Sequence, residues 1–116
     1  MTETAETLSE KGMELLASGH AAEAAQSFRA AITANENYFE AHHGLIRALR
    51  DAGLHEQSIA AALALTVLAP GDPLAHTALS ISLQAAGHIP EAEAAAGRAR
   101  ILEWKRQLSE PPQETP

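Results

Sequence analysis

With 116 residues, 12.2 kDa and no cysteine, the chain is sized for one domain whose core holds without disulfides, thiolate chemistry or the commonest zinc sites. A net charge of −7 disfavours a nucleic-acid partner, because phosphate binding needs a clustered positive field. Alanine supplies about a fifth of the chain and aromatics only 3%, a balance that favours closely packed helices and excludes a strand-rich fold.

The first residues, Met1 to Glu6, are acidic and polar, unlike the basic start and apolar run of a secretory leader. The longest apolar stretch, Ile59 to Leu65, is too short to cross a bilayer. The expectation is a cytoplasmic protein without membrane contact. Acids dominate the first forty residues, while Arg98, Arg100, Lys105 and Arg106 gather near the end. That asymmetry reads either as the usual preference of cations for helix C-termini or as head-to-tail attraction between copies.

In chain order, helices are predicted at 4–18, 21–35, 38–52, 55–69, 73–86 and 90–108, with residues 109–116 as a disordered tail beginning near Pro111-Pro112. Gly19, Gly53 and Gly87 stand at successive intervals of 34 residues, each where one helical pattern stops and the next begins. Leu15, Leu49 and Leu83 keep the same step, as do Ala24, Ser58 and Ala92, and Ala31, Leu65 and Ala99. Asn37 with Glu40 gives a capping-box-like start to the third helix, and Asp72 can cap a fifth helix opening on Pro73. Pro90 fits the first turn of the sixth.

A 34-residue period of helix–turn–helix units with small residues at the crossings resembles the tetratricopeptide repeat. The first unit carries Gly12, Leu15, Ala24, Phe28 and Ala31; the second Leu45, Leu49 and Pro70; the third Leu79, Leu83, Ala92 and Ala99. The departures are Glu36 in place of proline, His42 and His76 in place of an aromatic, Ile46 and Ser80 in place of glycine, and Trp104. The resemblance implies an all-α superhelical solenoid of three repeats, about 5–38, 39–72 and 73–106, within a single domain spanning 1–108 and ending on an extended helix. It also implies that the first helix of each repeat lines a concave groove.

Helical periodicity of about 100° per residue places Ala41, Leu45, Ala48, Leu49 and Ala52 on one side of the third helix, with Glu40, His43, Arg47 and Arg50 on the other. On the fifth helix Leu74, Thr77, Ile81 and Gln84 turn outward, and on the first Glu6, Ser9, Met13 and Leu16 do. Together these form the expected groove, a positive column beside an apolar strip. Ile81 reads as an isolated surface side chain or as a partner contact. Such a groove would accept a peptide segment or partner protein carrying apolar and acidic residues, with arginine bonding carboxylates directionally.

Members of the resembled family that hold acidic chaperone C-termini do so with a charged clamp. The matching positions here, Ser9, Met13, Gly44, Leu74 and Ala78, lack the charge and amide that the clamp needs. A second surface is expected on the convex side. Ile59, Ala60, Leu63, Ala64 and Val67 give the fourth helix an uncharged outer side, and Ala94, Gly97, Ile101 and Leu108 occupy the same side of the last. These stretches read as alanine-rich helix with little apolar area, or as a surface for self-association or partner docking. Trp104 either folds over the end of the array or anchors a partner.

Six histidines lack the spacing of a metal site, and packing roles account for His42 and His76. No phosphate loop, nucleophile elbow or paired-acid site is present. No enzyme activity, metal or cofactor is therefore expected. The leading expectation is a protein-binding adaptor or scaffold. A structural subunit of a larger complex or homo-oligomer, and a secretion-type chaperone, are the alternatives.

Overall fold

The computed structural model describes residues 3–110. It contains α1 (Ala5–Ala17), α2 (Ala21–Ala34), α3 (Phe39–Asp51), α4 (His55–Leu68), α5 (Pro73–Ala85) and α6 (Ile89–Ser109), and no strand among the described residues. Helices pair as α1/α2, α3/α4 and α5/α6. Each pair packs on the next, α1 also touches α3, and α3 touches α5. Among the described residues the backbones of α2 and α4 do not approach each other closely, nor do those of α4 and α6. Contacts confined to neighbours along one axis define a solenoid.

The repeating glycines set the tight turns. Gly19, Gly53 and Gly87 have φ of 83°, 77° and 85°, the left-handed region that costs a side chain about 1–2 kcal/mol. In each turn the glycine N–H and the next N–H bond back to the preceding helix. For the second, Gly53 N reaches Arg50 O at 3.0 Å and Leu54 N reaches Leu49 O at 2.9 Å. Asp72 caps α5 as expected, its Oδ1 accepting from Leu74 N at 3.0 Å ahead of Pro73. The expected cap of α3 by Asn37 and Glu40 does not form. The side chain of Asn35 instead accepts the Asn37 N–H at 3.0 Å, an Asx turn that competes for the same donor, and the chain enters α3 from Tyr38 without a side-chain cap. Helix α6 ends at Ser109, one residue beyond the expected end of the sixth helix, and the expected disordered tail falls mostly on residues 111–116, which lie outside the described residues.

Two packing centres hold the stack. In the first, Phe28 of α2 is fully buried and lies against both Gly12 of α1 and Gly44 of α3. A Cβ on Gly12 would stand 2.8 Å from the Phe28 ring, and one on Gly44 would overlap it. These helix-interior glycines are sites of close approach. In the second centre Ile46, Ile59, Ala62, Leu65, Ala75 and Leu79 pack together across α3, α4 and α5. Ser58 sits among them, donating to Ile46 O at 3.0 Å and lying 2.8 Å from the Ser82 hydroxyl. One hydroxyl pair thereby ties three helices.

Serines also stitch helices within pairs: Ser27 donates to Leu8 O at 2.8 Å, and Ser80 to Ala92 O at 2.7 Å. His42 and His76 each lie against the carbonyl six residues back, Glu36 O at 2.7 Å and Pro70 O at 2.9 Å. Those equivalent bonds pin the loops between repeats. Among the described residues no group of three or more His, Asp or Glu side chains is placed to hold a metal ion.

Candidate partner-binding surfaces

The outward stripes of α3 and α5 meet in a depression of about 290 Å³. Its α3 wall is His43, Arg47 and Arg50; its α5 wall is Leu74, Thr77 and Ile81, with Ile46 and Ala78 at the floor. These six wall residues come from two helices one repeat apart, brought side by side because α3 and α5 pack directly.

The cations are available. Arg47 reaches Asp51 at 3.8 Å along its own exposed helix face, an ion pair worth little in solvent. Arg50 has no carboxylate within 4.0 Å among the described residues. Burial pushes the His43 imidazole below its ordinary value, against an opposing pull from Asp72 and with a smaller push from His42. The positive column at neutral pH is therefore the two arginines.

The remaining predicted groove residues are dispersed. Glu6, Met13 and Gln84 are exposed but do not line the depression. Glu40 is exposed and accepts the Tyr38 hydroxyl at 3.1 Å. Ser9 corrects the expectation: it is 5% exposed and faces inward. Leu16 is also half-buried against the first core cluster, so the expected outward stripe of α1 was drawn too wide; α1 is flanked by α2 and α3 and buries a broader face.

A second depression of about 330 Å³ continues from the same α5 stripe onto α6, between Leu74, Ile81, Ala96, Ala99, Arg100 and Glu103. It lies on the face of the third repeat corresponding to those on which α3 and α5 are seated in the first two. A larger cleft of about 540 Å³ opens on the other side of the stack, where α2 and α4 splay apart over α3. Arg29 and Gln57 bridge it at 3.3 Å above Ala60, Ala61 and Ala64. Sequence periodicity did not reveal this cleft. The run of alanines was the available signal, because methyl groups cannot fill the space between diverging helices.

On the convex side Leu63 and Val67 are exposed as expected, Val67 at 81%, whereas Ile59 turns into the core. The register of α4 accounts for that correction, with Ser58, Ile59, Ala62 and Leu65 forming its buried face. Ile101, Trp104 and Leu108 are also exposed. Trp104 does not close the end of the array: α6 runs past Pro73, the start of α5, and leaves the indole 60% exposed.

Stacked helix pairs with an open wall of side chains define a helical-repeat protein. A family model described as Tetratricopeptide repeat matches residues 15–80, more than half of the chain, and the chain belongs to that family. No curated protein sequence matches it. The family is in general a protein–protein interaction module without catalytic function. No helix among the described residues is long and apolar enough to cross a membrane.

Proposed function

We propose that the chain is a non-catalytic adaptor that captures a segment of a partner protein in the depression between α3 and α5. The observation that supports this reading is the apposition of Arg47 and Arg50 with Leu74 and Ile81 across one 290 Å³ depression. Two guanidinium groups offer directed hydrogen bonds to carboxylates, and the facing leucine and isoleucine offer an apolar wall. The complementary segment carries acidic side chains beside aliphatic ones, at a spacing that reaches both walls at once.

Fluorescence polarisation with a labelled peptide of alternating Leu and Glu tests the reading. Binding by the parent chain should weaken at least about tenfold in the double variant Arg47→Glu/Arg50→Glu, since reversal replaces charge-assisted bonds with repulsion. Arg98→Glu, at a residue that does not line this depression, should leave it unchanged. Equal affinity of the parent and the double variant would refute the assignment.

A further inference from the structure

The outer side of α6 carries a second pattern. Ala94, Gly97, Ile101, Trp104 and Leu108 follow the alternating steps of three and four residues that mark a coiled-coil seam. They lie opposite the buried face of α6, which is Ala92, Ala95 and Ala99. Among the described residues nothing covers them: Ile101 is 46% exposed and Leu108 66%, and the backbone of α4 does not come near that of α6. Gly97 has space at its Cβ position, with only Arg100 Nη2 nearby at 3.8 Å, so its lack of a side chain serves no contact inside the fold. Beyond Ala99 the helix continues for ten residues without a buried side chain. An exposed apolar seam costs solubility, and this one is confined to one narrow stripe.

The flanks of the seam specify what it fits. In heptad register the positions beside it are Arg98 and Lys105 on one edge and Glu93, Arg100 and Gln107 on the other. Arg98, Arg100 and Lys105 have no ion-pair partner within 4.0 Å among the described residues. Two copies of this helix are poorly matched: a parallel pair offsets its Glu93–Arg98 contact by setting Arg100 against Lys105, and an antiparallel pair sets Arg98 against Lys105. The acidic helix α1 of a second copy is also unsuited, because Met13 is its one large exposed apolar side chain. We infer that the outer face of α6 docks an amphipathic helix of another protein, with a leucine-type apolar seam and glutamate or aspartate on its flanks. The apolar seam supplies adhesion, and the three cations select the acidic partner.

This surface is separate from the depression between α3 and α5, and Trp104 reports on it directly as the only tryptophan in the chain. The probes are two synthetic three-heptad helices with leucine in the seam, one flanked by glutamate and one by lysine. Titrating the glutamate-flanked helix should shift Trp104 emission to the blue, saturably and with weakening as salt rises. The lysine-flanked helix should bind at least about tenfold more weakly. Arg98→Glu/Lys105→Glu should reverse that preference, and Ile101→Glu should abolish binding with the circular dichroism of the fold retained. Arg47→Glu/Arg50→Glu should leave the titration unaltered, which separates this site from the groove. The inference is overturned if the glutamate-flanked helix leaves Trp104 emission unchanged or if both helices bind equally. It is also overturned if the chain dimerises through this face at the concentrations used.

Discussion

Gly44 and Gly97 are both interior helix residues, and helix propensity alone assigns them the same response to alanine. The packing around them predicts opposite outcomes. At Gly97 the added methyl meets only ordinary contact, so Gly97→Ala should stabilise the fold by roughly 0.5–1 kcal/mol. At Gly44 the methyl enters the Phe28 ring, which is itself fully enclosed, so Gly44→Ala should cost about 1–3 kcal/mol. Urea denaturation of the two variants checks the sign; stabilisation of both would mean that Phe28 is not wedged as described. His43 supplies a pH dependence at the same scale. Its pKa is lowered on folding, so near and below the ordinary value of 6.5 the unfolded chain holds more protons than the folded one. The stability gained by keeping His43 neutral is complete above that value and declines as the pH falls through it. His43→Gln should therefore lose less thermal stability than the parent on acidification from about pH 7.5 to about pH 5.5. An equal loss would place the burial elsewhere. Among single residues, the sequence exposed what depends on spacing and missed what depends on neighbours: Arg47 and Ile81 face outward as the helical period requires, but Ser9 is covered because α1 is flanked on two sides.

At the scale of helices, one shared hydroxyl pair links α3, α4 and α5. Ser58 donates to Ile46 O, which leaves Ser82 to donate to Ser58. Ser58→Ala therefore leaves the Ser82 hydroxyl buried without this partner and should cost about 1–3 kcal/mol. Ser82→Ala keeps the Ser58 bond and should cost less. In the double variant both polar groups are gone, so it should be more stable than the sum of the two single losses implies. Strict additivity would show that the pair does not act as one unit. The sequence supplied the period of these elements through Gly19, Gly53 and Gly87, whose φ values bear out the turns inferred from them. It did not supply the cap of α3, because Asn35 and Asn37 compete for one local role and only geometry decides between them. Nor did it supply the position of Trp104, because helical continuity shows that α6 extends but not that it outruns its neighbour.

For the whole molecule, three repeats give one wall to the first helices of each pair and another to the second helices. The two walls differ in chemistry. The α3–α5 depression joins two arginines to an aliphatic strip, while the outer face of α6 joins an apolar seam to cationic flanks. Belonging to the tetratricopeptide repeat family accounts for the stride, the paired helices and the general role in protein contact. The chemistry proposed for each wall depends instead on residues such as Arg50, Ile81 and Trp104, which the stride does not dictate. That is why the fold was legible in the sequence to within a residue or two, and the candidate groove only in its α3 and α5 halves. The most direct measurement is backbone amide chemical-shift mapping of the chain titrated with the alternating Leu and Glu peptide. The account predicts saturable shifts concentrated at residues 43–50 of α3 and 74–81 of α5, lost in Arg47→Glu/Arg50→Glu. Shifts confined to the cleft between α2 and α4, or binding that survives the double reversal, would contradict it.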